Sequence, residues 1–142
     1  MQHNRSPISL RSGKVFIDGL EVMDEVACTI VFTPDTWTGR QVGDATPSTR
    51  WLGYAISGSI TRRRNNKWLK DVIAKYIKNK RTPEFTIQGI MNDECSDYFQ
   101  QFGSDTVTAV GCVLTGDITM LKHDSNGDVL DDVLAFSGKD VV

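Results

Sequence analysis

The chain has 142 residues, 39% of them hydrophobic and 24% charged, with three cysteines and a formal net charge of −2. That length suits one domain whose core folds without metal or disulfides, and the composition is globular rather than disordered. No apolar run approaches the ~18 residues of a membrane helix, and the opening residues lack the apolar stretch of a signal peptide, so membrane insertion is not expected.

Residues 1–13 are polar, include Pro7 and Gly13, and read as an N-terminal arm ahead of a single domain over 14–142. Lys14–Asp18 reads as a short strand, and Asp18-Gly19 is a hairpin turn signal. In the return strand Val22, Val26, Cys28, Ile30 and Phe32 share one parity, interrupted at Asp24, where a bulge would fit. Residues 34–50 show no periodicity and are rich in Thr, Gly, Pro and Asp, so they are expected to be a long loop. Leu52–Arg62 alternates, with Leu52, Tyr54, Ile56 and Ile60 on one face and small polar residues on the other.

The period then changes. Trp68, Leu69, Val72, Ile73, Tyr76 and Ile77 form the apolar stripe of an amphipathic helix over 66–79, with Asn65 or Asn66 as its cap. Phe85, Ile87, Gly89 and Met91 line the next strand, opposed by Thr86 and Gln88. Residues 92–104 look irregular. Residues 105–122 read as two strands or one bent at Gly111 and Gly116, and Val129–Ser137 as a last strand pairing with 114–122 after an Asp124–Asp128 turn. Seven or so strands and one helix predict a mainly β fold: an antiparallel two-sheet β-sandwich or barrel with one flanking amphipathic α-helix.

The charge is unevenly placed. Segment 62–81 carries nine of the sixteen basic residues and one acidic residue, whereas the rest of the chain carries seven basic and seventeen acidic groups. Such a segment can bind nucleic-acid phosphates, face an acidic protein, or be a solvated helix face. The run Arg62-Arg63-Arg64 favours an acidic partner.

Catalysis and cofactors are not expected. Cys28, Cys95 and Cys112 are an odd count without CxxC spacing, which points to reduced thiols in a cytosolic setting. His3 and His123 show no metal-ligand spacing. The run from Asp124 to Asp132 departs from a calcium loop, with Val129 at position six and Ala135 at twelve, and reads as a turn with a solvated acidic edge. There is no Walker loop, GxGxxG or HExxH. Trp37, an aromatic on a segment without a core period, marks an interface anchor. Ser57, Ser59, Thr61, Thr86, Gln88, Thr106 and Thr108 would make smooth uncharged strand faces, suited to solvent or to the lumen of a ring.

Segments 13–22 (GKVFIDGLEV), 51–61 (WLGYAISGSIT), 67–77 (KWLKDVIAKYI), 83–93 (PEFTIQGIMND) and 107–137, in this order, resemble the tail tube protein of contractile phage tails, nearest the defective-prophage and bacteriocin type. The resemblance implies homohexameric rings stacked into a hollow tube inside a contractile sheath, with baseplate and tail terminator proteins at its ends. The product would be a virion tail or phage-tail-like particle made in the bacterial host cytoplasm, a conduit for DNA cargo or ions. It makes loop 34–50 the intersubunit element, with Trp37, Arg40, Val42, Arg50 and Trp51 as contact residues. It makes the small polar strand residues the lumen face, and Lys70, Lys75 and Lys78 the sheath-facing side. The alternative is a small nucleic-acid-binding β-domain that uses 62–81.

Overall fold

The structure, a computed structural model, describes residues 9, 11, 13–22 and 25–142. Most of the expected arm, Asp24 and His3 lie outside the described residues. Among the described residues, eight strands and two helices follow in the order β1 (Gly13–Ile17), β2 (Leu20–Glu21), β3 (Glu25–Gly39), β4 (Ser48–Arg63), α1 (Trp68–Asn79), β5 (Phe85–Met91), α2 (Asp97–Phe102), β6 (Asp105–Thr115), β7 (Asp131–Gly138) and β8 (Asp140–Val141).

The strands form one antiparallel sheet in the order β2-β1-β5-β6-β7-β4-β3, with β8 added on β6. Alternation along each strand places Val15 and Ile17, Ile56 and Ile60, Phe85 and Ile87, Ala109, and Leu134 and Phe136 in a common core. Val22, just past β2, and Cys28 and Ile30 on β3 also pack on that core. The two ends of the sheet therefore curl toward each other, and a groove of about 620 Å³ separates them. The two expected layers are two halves of this curled sheet. Strand β6 joins them, since Asp105–Ala109 pairs with β5 and Val113–Thr115 with β7. Gly111, with φ at 66°, makes the corner in a left-handed conformation that side chains disfavour.

Helix α1 packs its first half only. Leu69 is buried and Trp68, Val72 and Ile73 are partly buried, but Tyr76 and Ile77, which the sequence placed in the same sheet-covering stripe, are exposed. Lys67 occupies the N-cap without a side-chain bond, and Asn66 Oδ1 accepts from the Trp68 N–H at 3.1 Å instead. Trp68 tilts against Phe85 of β5, so the helix flanks the β1–β5 half.

Several expected boundaries move. Residues 34–39 and 48–50 are strand, not loop, and only 40–47 remain irregular between them. They pair because Thr- and Trp-rich strands suit a pleated ribbon, with Trp37 opposite Arg50 and Thr38 Oγ1 3.2 Å from Thr49 Oγ1. The bulge near the start of β3 falls at Val26, between the Glu25 and Ala27 pairings, and leaves Val26 exposed. The stretch 92–104 holds α2, whose N-cap Ser96 accepts from the Phe99 N–H. Residues 116–122 are not strand, so β7 pairs with Val113–Thr115 and, along its whole length, with β4.

Candidate assembly surfaces

The β3–β4 ribbon runs past the core. Its register proceeds from Cys28↔Ile60 through Phe32↔Ile56 and Pro34↔Tyr54 to Asp35↔Gly53, then shifts to Thr36↔Trp51 and Trp37↔Arg50. Leu52 is the extra residue of that bulge, which explains why it is exposed rather than on the core face with Tyr54. Residues directly opposite in an antiparallel pair share a face. Phe32, Tyr54 and Trp51 therefore continue the core face outward, and Phe32 lies 5.2 Å from the Tyr54 ring and 5.6 Å from the Trp51 ring. Trp37 and Arg50 sit on the reverse face, where the Trp37 ring covers Gly39. Trp37 is 51% and Trp51 63% exposed, so neither belongs to the subunit core. Arg40 and Val42 are exposed on the 40–47 connection.

The tip is joined to the body near its base. Tyr54 donates its hydroxyl to Asp140 Oδ1 of β8 at 3.2 Å, and this bond to a carboxylate pushes the phenol pKa up.

The small polar residues fall on two separate faces. Ser57, Ser59 and Thr61 point away from the core on β4, beside Thr29, Val31 and Ala27 of β3 and Ser137, Ala135 and Val133 of β7. Thr86 and Gln88 of β5 and Thr106 and Thr108 of β6 point away from it on the other half, beside Phe16 and Lys14 of β1. The core lies between the halves, so one bore cannot be lined by both sets.

The basic segment also divides. Lys70, Lys75 and Lys78 are exposed on α1. The arginine run is largely spent inside the chain. Arg62 is buried, donates to Asn66 Oδ1 at 2.7 Å and stands 5.5 Å from the Trp68 ring centroid. Arg64 pairs with the buried carboxylate of Asp132 at 2.7 Å and donates to the Thr119 and Met120 carbonyls at 2.7 and 2.8 Å. Arg63 remains exposed, 3.7 Å from Asp131. Asp132 is thus an internal partner rather than part of a solvated edge. The reading of the run as a surface for an acidic partner is corrected accordingly: its middle member alone stays at the surface.

Cys112 is fully buried and Cys28 is part-buried. Burial, and then the Glu25 charge, push the Cys28 thiol up to about 11, which keeps it protonated and poorly nucleophilic at neutral pH. Among the described residues no group of His, Cys, Asp or Glu could hold a metal ion, and no helix is long and apolar enough to cross a membrane. What these surfaces can do is bind other macromolecular surfaces, through an aromatic ribbon, uncharged strand faces and a lysine-lined helix.

None of the curated proteins matches this chain. Among solved structures, the fold is similar to a cryo-EM structure of the sheath/tube terminator of an extracellular contractile injection system, PVC, in the extended state. The TM-score is 0.73 at 13% identity, over 96% of this chain and 95% of that one. It is also similar to the PVC sheath-tube complex in the extended state, with TM-score 0.71, 13% identity and coverage of 96% and 90%. The tube terminating cap of the anti-feeding prophage gives TM-score 0.70 at 12% identity, over 100% of this chain and 91% of that one. At these identities the likeness is one of fold. The family described as phage tail tube protein matches residues 2–141, nearly the whole chain. The chain therefore belongs to the phage tail tube protein family.

Proposed function

We propose that the chain builds the inner tube of a contractile tail or phage-tail-like particle, as homohexameric rings that stack inside a sheath. The observation that carries this reading, beside the family match over residues 2–141, is the β3–β4 ribbon. A soluble monomer rarely keeps Phe32, Trp37, Trp51, Leu52 and Tyr54 all bare on one ribbon, and an unpaired edge such as that of β3 is an aggregation hazard unless a partner covers it. Trp37, Arg40, Val42, Arg50 and Trp51 are the intersubunit contacts in this reading. The solved structures with this fold include a sheath-tube complex, an anti-feeding prophage baseplate and a tube terminating cap, which supports sheath, baseplate and terminator proteins as partners.

Ser57, Ser59 and Thr61 line the bore in this reading, and Thr86, Gln88, Thr106 and Thr108 do not. The rows of this face from Ala27–Thr61–Val133 to Val31–Ser57–Ser137 carry no charge, and the exposed Arg63–Asp131 pair at their end is self-neutralising, which suits a conduit that passes DNA or ions without gripping phosphates. Helix α1 flanks the other half, so Lys70, Lys75 and Lys78 face the sheath. Exposed charge pairs there are individually weak, about 0.2–1 kcal/mol, and screened by salt, which suits attachment that must release on contraction. The function is structural, with no reaction assigned to it.

Negative-stain imaging of the purified protein is expected to show rings or tubes. The Lys70→Glu, Lys75→Glu, Lys78→Glu variant is expected to keep them and to lose sheath assembly. Monomers that bind DNA tightly, with a salt dependence that this variant loses, would favour the nucleic-acid-binding alternative.

A further inference from the structure

Two dipeptides of this chain can close on themselves into a cyclic imide, Asp18-Gly19 and Asn126-Gly127. In each, the glycine has no Cβ to keep its amide nitrogen away from the carbonyl carbon of the preceding side chain. The structure treats the two differently. Asp18 is locked: its Oδ1 accepts from the Thr86 N–H at 2.9 Å, and its own N–H donates to the Thr86 carbonyl at 2.9 Å. Asn126 is exposed on the connection between β6 and β7, and its side-chain amide makes no hydrogen bond among the described residues. Its backbone lies in a turn where the Asn126 N–H donates to Asp124 Oδ1 at 3.0 Å and the Gly127 N–H to the Asp124 carbonyl at 3.1 Å. Every residue from 119 to 129 is exposed, and a turn bond in such a stretch opens at little cost.

We propose that Asn126 is a site of spontaneous modification in the folded chain, where the side-chain amide becomes a carboxylate. The Gly127 nitrogen gives up its proton to hydroxide and attacks Asn126 Cγ. A new C–N bond closes the imide ring, the Cγ–Nδ2 bond breaks, and ammonia leaves with a proton taken from solvent. Water then adds to one of the two imide carbonyls. Opening on one side gives aspartate; opening on the other gives isoaspartate, in which the main chain runs through Cβ and Cγ. Nothing is oxidised or reduced: one water is consumed and one ammonia is released.

The other asparagines among the described residues lack these conditions. Asn65, Asn66, Asn79 and Asn92 all precede residues with side chains. Asn66 Oδ1 is also held by Arg62 and by the Trp68 N–H, and Asn79 belongs to α1. The fold tolerates the change at 126, because Arg64 secures both roots of the connection. Its side chain holds the Thr119 and Met120 carbonyls, and its N–H donates to the Leu130 carbonyl at 3.0 Å. The modified tip carries carboxylates at 124, 126 and 128, so an old chain differs from a new one by a negative charge at one fixed place. This chemistry is independent of the tube reading.

The test incubates the full folded chain at mildly acid and mildly alkaline pH and maps its tryptic peptides by mass. Cleavage after Lys122 and Lys139 isolates a peptide in which Asn126 is the sole asparagine. That peptide is expected to convert to a mixture of aspartate and isoaspartate forms, faster at alkaline pH, where more of the amide nitrogen is deprotonated. Its rate should exceed that of any other described asparagine by about tenfold or more, a barrier lower by about 1.4 kcal/mol. Gly127→Ala is expected to fold, since a Cβ there would lie 3.3 Å from Asp124 Cβ and 3.4 Å from its carbonyl oxygen, and to suppress the conversion. Asn126→Asp is expected to leave the melting temperature unchanged. Conversion that occurs in urea but not in the folded chain would overturn the proposal by showing that the turn protects Asn126. Equal conversion in Gly127→Ala, or faster conversion at another described asparagine, would overturn it too, and a lowered melting temperature for Asn126→Asp would overturn the tolerance of the fold.

Discussion

The curled body and the outer half of the β3–β4 ribbon use the same hydrogen-bonded ladder to opposite ends. In the body each strand buries one face, and Ile56, Ile60, Ile87 and Phe136 are each 1% exposed. In the ribbon beyond Phe32 neither face is covered, yet the ladder continues to Gly39↔Ser48. Apolar side chains in the body make the fold stable; those on the ribbon contribute little to the monomer, and in the proposed tube they serve contacts between subunits. Stability and assembly should therefore respond to different residues.

The largest test of that separation is Phe136→Ala. Removing a ring packed on Gly58 and the facing strands is expected to cost about 3–5 kcal/mol, measured by urea unfolding. If it is tolerated, the core is not where the structure puts it. Asp132→Ala comes next. It leaves Arg64 without its carboxylate partner, held only by its bonds to the Thr119 and Met120 carbonyls, and an expected loss of about 2–3 kcal/mol follows from breaking a largely buried pair. Arg63→Ala, on an exposed pair, is expected to cost under about 0.5 kcal/mol.

Glycines sharpen the comparison. A Cβ at Gly58, in the body, would meet the Thr29 carbonyl oxygen and lie 2.7 Å from the Phe136 ring, whereas one at Gly53, on the ribbon, meets nothing within 4 Å. Gly58→Ala is expected to cost about 1–3 kcal/mol and Gly53→Ala close to nothing, by the same assay. Trp37→Ala is likewise expected to change monomer stability by no more than about 0.5 kcal/mol, while assembly is lost. A variant that unfolds as a monomer would place Trp37 in the core after all.

Cys28 adds a pH test at the boundary between the regions. Its folded pKa of about 11 exceeds the ordinary thiol value of 9.0. The neutral thiol is therefore favoured by folding: its contribution is complete below pH 9 and is lost as pH rises from 9 through 11. Urea midpoints should decline over that window, modestly because the thiol is part-buried, and Cys28→Ala should flatten the decline.

The body was legible in the sequence because burial leaves a period. The alternation in Leu52–Arg62 and Phe85–Met91 and the helical stripe after Asn66 all mark real elements. The ribbon was not legible for the same reason: with no face buried in the monomer, 34–39 and 48–50 carry no alternation, and their Thr, Gly and Pro content reads as loop. Helix α2, six residues long, is too short to show a period, and Ser96 as its cap was the available signal. Residues 116–122 mislead in the other direction. Leu114, Ile118 and Met120 mimic a strand period, but Arg64 takes two of the carbonyls that a ladder would use. That pairing spans 68 positions to Asp132, so no local pattern could reveal that the arginine run serves the fold. The candidate contacts were proposed by residue type, whereas the side of the ribbon on which each lies required the register.

The antiparallel ladder from Glu25↔Arg62 to Gly39↔Ser48 has a mechanical side. A force that draws β3 and β4 in opposite directions along the ribbon loads all of its cross-strand hydrogen bonds together, so they share the load and none opens first. A force across the ribbon at its tip would peel them one at a time. In the proposed assembly, a tube driven forward by its sheath carries load along its axis, and the ribbons would meet it in the shearing direction to the extent that they lie along that axis. The same ribbon, left unheld in a free subunit, would open from the Gly39–Ser48 end.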